Sequence, residues 1–208
     1  MSRFRWSLLT AFALLALPAV AAAQKVQLTP FVGYRMFGSY EGYNGADYDV
    51  KDAMSYGGIL GFSPNPWTGI EFLYSHQGTD LEYRPLQGDR QTYQLSVDQW
   101  ALNGYRTLGQ SGSRVRPFVG AGAGLTSFYS DDAIGSEQRF SLNFDLGLKA
   151  WAPSERVAFR FDARGYMTFA GDGGGGGGCG PAGCYMATTG SIFFQGELTA
   201  GLTIGLGK

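Results

Sequence analysis

The chain has 208 residues, and its 16 Lys and Arg nearly balance its 17 Asp and Glu. This balance and the absence of any run of basic residues exclude a nucleic-acid-binding protein. The chain contains 33 glycines, 12 tyrosines and 15 phenylalanines, and it lacks the helical pattern of apolar residues at positions i, i+3 and i+4 with capping residues. This composition indicates an all-β protein.

The first 23 residues have the pattern of a secretory signal peptide. Arg3 and Arg5 precede an apolar run at residues 8–20, and three alanines at residues 21–23 supply a cleavage site before Gln24. We therefore expect a signal peptide at residues 1–23 and one domain at residues 24–208. Removing Arg3 and Arg5 from the 16 basic residues leaves 14 against 17 acidic ones, a net charge of about −3.

Alternation of apolar and polar residues predicts the strands of this domain. It is clearest in RFSLNFDLGLKAW and, after the short segment PSER, in residues 157–169, which together form a hairpin. In the fourth strand neither set of alternate residues is fully apolar, so its facing, or a bulge within it, stays open. The predicted strands are residues 26–37, 54–63, 70–77, 93–106, 114–128, 139–151, 157–169 and 192–206.

The links between these eight strands alternate strictly between short and long. The links after strands two, four and six are short, whereas residues 38–53, 78–92, 130–138 and 170–191 form longer ones. This is the pattern of an outer-membrane barrel, with short periplasmic turns and long outer loops. The sequence predicts an eight-stranded antiparallel up-and-down transmembrane β-barrel at residues 24–208.

The alternative is a soluble exported barrel with its apolar face inward. The polar face consists mostly of Gly, Ser, Thr, Asn and Ala, which covers a water-exposed surface poorly but suits a narrow lumen. The apolar face is about ten residues long in the best strands, enough to cross a bilayer. Aromatic residues near the strand ends predict two interfacial girdles: Trp67 and Trp151 at the short-turn end, and Tyr34, Phe37, Tyr74, Tyr129 and Phe169 at the other.

If the apolar residues of each strand face lipid, the charged residues that alternate with them face the lumen, with equal numbers of positive and negative charges. Because an unpaired charge there would cost several kcal/mol, we expect an interlocked network of ion pairs that plugs the barrel. The four basic and four acidic members are Arg35, Glu71, Asp145, Lys149, Arg160, Asp162, Arg164 and Glu197.

Two segments resemble a known family. IEFLYSHQGTDL at residues 70–81 is similar to a third strand running into a long loop, and RPFVGAGAGL at residues 116–125 is similar to a fifth strand, of the small eight-stranded outer-membrane barrels. This superfamily includes the OmpA transmembrane domain, OmpX and opacity-protein-like proteins. The resemblance implies a structural, adhesive or stress-related surface protein in the outer membrane, surrounded by lipid and lipopolysaccharide.

Two other functions stay open as alternatives: an OmpW-like conduit for small apolar solutes and a lipid A-modifying outer-membrane enzyme. His76 lies on the lipid-facing set near the outer end of strand three, where a lipid A enzyme would act, but the adjacent Ser75 points to the opposite face and cannot serve it as nucleophile. An OmpW-like conduit for small apolar solutes, like an acyl-transfer enzyme, needs an apolar lumen. We therefore predict a protein that is not an enzyme and has no cofactor.

The long loops carry the remaining candidates. The acidic pairs Asp47/Asp49 and Asp131/Asp132 lack the spacing of a calcium loop. Tyrosines at positions 40, 43, 48, 83 and 93 form either an adhesive surface for a host or envelope ligand or extensions of the strands.

The segment GDGGGGGGCGPAGCYM lies in the fourth long loop. It lacks the helix and the Lys-Ser/Thr of a phosphate-binding loop, and two cysteines do not supply four zinc ligands. Because exported cysteine pairs normally oxidise, we predict a disulfide between Cys179 and Cys184.

Overall fold

A computed structural model describes most of the chain beyond residue 24. The described residues are 25–37, 40–41, 47–84, 89–109, 113–130, 137–154, 156–169, 178–180, 183–185 and 192–206. The predicted signal peptide at residues 1–23 lies outside them.

The described residues contain twelve strands. Eight of them form the wall of a barrel: β1 (Lys25–Phe37), β4 (Ala53–Ser63), β5 (Thr68–Arg84), β6 (Gln91–Thr107), β7 (Val115–Tyr129), β8 (Glu137–Trp151), β9 (Val157–Phe169) and β12 (Ile192–Gly205). The other four are short: β2 (Tyr40–Glu41), β3 (Asp47–Val50), β10 (Gly178–Gly180) and β11 (Gly183–Tyr185).

The wall is closed and antiparallel throughout. Each long strand pairs with the next along the chain, and β1 pairs with β12, where Arg35 lies opposite Glu197. The sheet therefore has no free edge within the wall, as a membrane requires of a β protein. The prediction of an eight-stranded up-and-down barrel is confirmed.

The two faces of the wall divide as the alternation predicted. Large apolar side chains are exposed on the outside, such as Phe159 (63%) and Leu198 (56%), whereas polar and charged side chains are buried inside. An exterior of this kind suits lipid and not water. Among the described residues, no helix is long and apolar enough to cross a membrane.

The ends of the strands agree with the prediction to within two residues, with one exception. The third wall strand, β5, continues to Arg84, and its partner β6 begins at Gln91, so residues 78–92 are mostly strand. The fourth, β6, has no bulge, because its pairing with both neighbours is unbroken. It directs Leu95, Val97 and Gln99 inward, and its facing is thereby resolved.

The short strand β3 continues the line of β4 and pairs with the outer end of β5. Between β3 and β4, the Lys51 N–H donates to the Asp80 carbonyl at 2.9 Å, so the broken strand stays attached to β5. We call β3, residues 77–84 of β5 and residues 91–97 of β6 the outer sheet. The backbones of Tyr40 and Tyr48 pair in the β2–β3 ladder, as in an extended strand, and Tyr43 lies outside the described residues.

Candidate functional site

The eight charged residues predicted for the lumen come from five strands of the wall. Arg35 lies on β1, Glu71 on β5, two residues on β8, three on β9 and Glu197 on β12. Each of the eight is at most 6% exposed. The alternation of the strands therefore directs all of them to the interior, where the barrel is just wide enough for side chains.

Glu71 holds two cations near the short-turn end. Arg160 donates from Nη1 to Oε1 at 2.7 Å and from Nη2 to Oε2 at 2.8 Å, a bidentate pair. The Lys149 ammonium donates to the same Oε1 at 3.1 Å and to Gln27 Oε1 at 3.1 Å. A single carboxylate on β5 thus neutralises one cation on β8 and one on β9.

Glu197 occupies the corresponding position nearer the outer end. Its Oε1 accepts from Arg35 Nη2 at 3.1 Å and from Ser75 Oγ at 2.8 Å. Its Oε2 accepts from the Tyr166 hydroxyl at 2.7 Å and from Arg164 Nη1 at 3.4 Å. Both lone-pair-bearing oxygens of this buried carboxylate are therefore satisfied, as a buried charge requires.

Asp162 joins the two clusters. Its Oδ1 accepts from Arg160 Nε at 2.9 Å, and its Oδ2 accepts from Arg164 Nη2 at 2.8 Å. Asp145 adds a second acidic partner, with its Oδ1 3.0 Å from Arg164 Nε. The eight residues form one continuous chain of ion pairs from Lys149 to Arg35, which we call the interior network.

Each cation of the interior network also lies over an aromatic ring. The ring centroids are 4.4 Å from Lys149 Nζ, 4.6 Å from Arg160 Cζ, 5.1 Å from Arg164 Cζ and 5.4 Å from Arg35 Cζ. Contacts of this kind stabilise a desolvated cation by about 2 kcal/mol. The rings belong, in the same order, to Tyr105, Phe118, Phe31 and Tyr166.

These four aromatic residues were not among those predicted for the lumen. Phe118 lies on the same face of its strand as Gly120 and Gly122, and Tyr166 lies on the same face as Arg164. The alternation therefore indicated that both rings point inward. Large rings inside a narrow barrel need space, and the inward glycines supply it. A Cβ on Gly147 would lie 2.6 Å from Phe118 Cζ and 2.5 Å from the Phe161 carbonyl oxygen.

A neutral polar layer lies outward of the interior network. Thr126 Oγ1 donates to Gln99 Oε1 at 2.9 Å and lies 3.0 Å from Thr168 Oγ1. Gln77 Nε2 donates to the Arg35 carbonyl at 3.2 Å. These uncharged side chains are completely buried and link β1, β5, β6, β7 and β9 across the lumen.

An apolar cluster occupies the outer end of the interior. It consists of Val50, Leu81, Leu95 and Val97, each at most 6% exposed, with Phe37, Tyr93 and Phe128 packed against them. Phe37 therefore packs inward. The prediction that it belongs to the outer aromatic girdle is wrong. Its alternation with Arg35 on β1 explains this facing. We call this group the outer cluster.

The outer sheet is bound together by surface ion pairs. Lys51 Nζ lies 3.0 Å from Asp49 Oδ2 and 3.3 Å from Glu82 Oε2, and Arg90 Nη1 lies 3.2 Å from the same Glu82 oxygen. The hydrogen bond to Asp49, followed by the one to Glu82, raises the pKa of Lys51 above its ordinary value. Asp49 thus serves an ion pair, while Asp131 and Asp132 lie outside the described residues.

His76 faces outward, as predicted, but it has a partner that the sequence analysis did not identify. Its Nδ1 lies 2.6 Å from Asp98 Oδ1 on β6. The facing of Asp98 could not be read from the sequence because the alternation of strand four was unclear. Among the described residues, no group of three or more His, Cys, Asp and Glu is arranged to hold a metal ion.

The cysteine pair lies in a small hairpin of its own. Cys179 on β10 is directly opposite Cys184 on β11, and this two-stranded sheet pairs with no other described strand. Opposed residues of an antiparallel pair have Cα atoms about 4.5 to 5.5 Å apart, within the range that a disulfide bridges. The cysteine side chains lie outside the described part of the chain, and the disulfide stays a prediction.

Comparison with known proteins places this geometry among outer-membrane barrels. Residues 9–196 match the family described as the outer membrane protein beta-barrel domain. No curated protein sequence matches the chain. Among solved structures, neisserial surface protein A is 13% identical, covers 88% of this chain and 96% of its own, and has a TM-score of 0.53.

Two further solved structures match this chain at similarly low identity. The outer membrane protein AlkL, determined in DMPC lipid bilayers, is 14% identical, with 89% of this chain and 91% of that chain covered and a TM-score of 0.54. The N-terminal barrel of Pseudomonas aeruginosa OprF is 16% identical, with coverages of 86% and 97% and a TM-score of 0.48. At identities this low, neisserial surface protein A and AlkL show a common fold with this chain and nothing about a ligand.

Proposed function

Because the chain belongs to the outer membrane protein β-barrel domain family and is located in the outer membrane, we propose that it is a closed structural barrel that presents a surface for interaction. The observation that carries this proposal is the interior network. In this proposal the wall anchors the protein in lipid, the interior keeps the barrel rigid and closed, and the outer sheet meets partners.

The layers of the interior support closure of the lumen. A solute entering from the short-turn end meets Arg160 bound to Glu71, then Arg164 and Arg35 bound to Glu197. Beyond them lie the neutral polar layer and the outer cluster. Opening a path would separate buried ion pairs, and each uncompensated buried charge costs about 3 to 5 kcal/mol.

The same charges argue against the two other functions. A conduit for apolar solutes, and an acyl-transfer enzyme with its chain bound in the lumen, both need an apolar interior. Here Glu71 and Glu197 are 2% and 1% exposed and lie in the space that an acyl chain would fill. We therefore propose a role without catalysis or apolar transport.

The outer sheet supports the interaction role. On β5 and β6, the outward apolar positions end at Tyr74 and Trp100, and the outward positions beyond them are polar, apart from Gly78, up to the strand ends. The remaining eight residues of β5 after His76 extend the hairpin roughly 26 Å along the strand. A paired, ion-bridged sheet of this kind presents side chains in fixed positions, which lowers the entropic cost of binding.

A binding screen tests the interaction role. The folded barrel in nanodiscs is tested against purified lipopolysaccharide, extracellular-matrix proteins and host-cell surfaces, with Gln94→Lys as the test variant. Gln94 is exposed on the outward side of the outer sheet, whereas Ser154 is exposed at a short turn, so Ser154→Lys is a control with the same charge change. We expect binding that Gln94→Lys weakens and Ser154→Lys leaves unchanged. Absence of binding to the whole panel contradicts the interaction role and leaves the structural role standing.

A further inference from the structure

A row of four polar residues crosses the lipid-facing side of the wall. His76 pairs directly with Asp98, Asp98 pairs with Ser127, and Ser127 pairs with Gln138. We call them the polar row. All four belong to the outward alternation of their strands, β5 to β8. One outward position nearer the membrane centre, the corresponding row is Tyr74, Trp100, Leu125 and Phe140.

The polar row lies at the outer boundary of the apolar band. The row below it is aromatic and apolar, and the positions above it on β5 and β6 are Gly78 and Ser96. Boundaries of this kind meet the head groups of the outer leaflet. Side chains of the polar row are therefore at the depth of the polar parts of lipids.

The hydrogen-bonding capacity of the row is only partly used. His76 and Asp98 are 25% and 17% exposed, and the carboxylate accepts from the Tyr74 hydroxyl at 3.4 Å as well as contacting the imidazole. Ser127 is 1% exposed, and its Oγ makes no hydrogen bond to any described group. A buried hydroxyl without a partner costs about 1 to 3 kcal/mol, and a ligand that displaces the side chains covering Ser127 would relieve that cost.

Aromatic rings frame the row. Tyr56 lies beside His76 with ring centroids 5.1 Å apart, and Tyr74 lies beside Trp100 at 4.2 Å. Tyr56 is 59% exposed and Trp100 is 40% exposed, so both rings offer free faces at the membrane surface. Such faces pack well against the C–H groups of a sugar ring, while the polar row meets its hydroxyls.

The charges of the row select among head groups. Asp98 is acidic, and no basic residue occupies a described outward position directly above or below the row on β5 to β8. A phosphate would approach a carboxylate with only the imidazole to offset the repulsion. Sugar hydroxyls carry no charge, donate to the carboxylate and accept from the serine and the amide.

We propose that the polar row binds the saccharide head group of a glycolipid in the outer leaflet. Asp98 accepts from sugar hydroxyls, His76 holds Asp98 in place, and Ser127 donates its hydrogen once the head group has displaced the side chains that cover it. The bound head group lies over Trp100 and Tyr74. This site is on the exterior of the wall and is independent of the interior network and of the outer sheet.

The single histidine of the chain makes the test direct. Protein labelled with nitrogen-15 histidine is folded into phosphatidylcholine nanodiscs, and the His76 imidazole signals are followed by NMR. In one series a neutral galactosyl diacylglycerol replaces phosphatidylcholine stepwise, and in the other phosphatidic acid does. We expect a saturable shift with the galactolipid and a much weaker response to phosphatidic acid.

Variants separate binding from a structural role of the row. Asp98→Asn is expected to weaken the apparent galactolipid affinity about tenfold, the loss expected for a hydrogen bond to a charged acceptor. Asp80→Asn removes an exposed carboxylate from the same side of β5 and is expected to have no effect. If Asp98→Asn does not fold, Ser127→Ala serves instead, with a loss of about fivefold. Equal responses to both lipids, or galactolipid binding that neither row variant weakens, overturn the proposal.

Discussion

The interior network and the outer cluster fill the same barrel by different physical means. In the interior network, charges from five strands must match one another, because Glu71, Glu197 and Asp145 neutralise cations on other strands. In the outer cluster, Val50, Leu81, Leu95 and Val97 need only to exclude water and fit together. The interior network therefore requires particular charged partners, whereas the outer cluster requires only side chains of suitable volume. Substitutions that change charge or volume distinguish the two requirements.

Removal of a shared carboxylate is expected to have the largest effect. Glu71→Leu leaves Arg160 and Lys149 without their common partner, and the free energy of unfolding falls by about 3 to 5 kcal/mol. Urea unfolding in detergent micelles, followed by heat-modifiable gel migration, measures it. The control is Glu137→Gln, whose ion pair with Arg139 is partly exposed and worth at most about 1 kcal/mol. Equal effects of the two substitutions contradict a specific interior network.

Substitutions that conserve size sharpen the comparison. Glu71→Gln keeps the shape of the side chain but removes its charge, and we expect a loss of at least about 2 kcal/mol. Leu81→Met keeps the volume of a residue in the outer cluster, and its cost is expected below about 1.5 kcal/mol. The same unfolding measurement applies to both. If the methionine variant is the less stable of the two, the distinction between matching charge and matching volume fails.

The inward glycines test how closely the interior is filled. Gly147→Ala brings a methyl group within 2.8 Å of Asp162 Oδ1 and against the backbone of the neighbouring strand, so we expect a loss of about 1 to 3 kcal/mol. Gly165 is exposed on β9, and a Cβ there meets nothing within 4 Å. Gly165→Ala is the matched control and should be near neutral. An unchanged free energy of unfolding in the Gly147→Ala variant would indicate a loosely filled lumen.

The fourth loop is expected to give the smallest effect. Because β10 and β11 pair only with each other among the described strands, reduction of a Cys179–Cys184 disulfide should leave the unfolding free energy of the wall unchanged within about 0.5 kcal/mol. Thiol alkylation of the unreduced protein tests the bond itself. Two reactive thiols in the native protein would rule the disulfide out.

The sequence predicted the wall well because every strand of it except the fourth alternates clearly between apolar and polar residues. Alternation in RFSLNFDLGLKAW fixes both the strand and the facing of Asp145 and Lys149, and the same period orients Arg160 and Glu197. Which cation meets which carboxylate could not be predicted, since it depends on the register of strands that are distant in the chain. The bidentate contact of Arg160 with Glu71, on strands far apart around the wall, is such a case.

Two features were missed for different reasons. The outer sheet was assigned to a loop because residues 78–84 and 91–92 are polar on their outward side once they leave the membrane, so the apolar alternation ends before the strand does. The pairing of His76 with Asp98 was missed because strand four mixes polar and apolar residues on both faces. Its two neighbours in the wall settle that facing, and no single strand contains this information.

Single-channel recording in planar lipid bilayers tests whether the lumen is closed. We expect the wild-type barrel, inserted in its folded form, to show no stable open steps, because the interior network and the outer cluster fill the lumen. Insertion is verified by the heat-modifiable band of protein recovered from the same preparation. Sustained large conductance steps from the folded wild-type protein would show that the lumen is open, since they require a continuous water path past Arg160, Arg164 and Arg35.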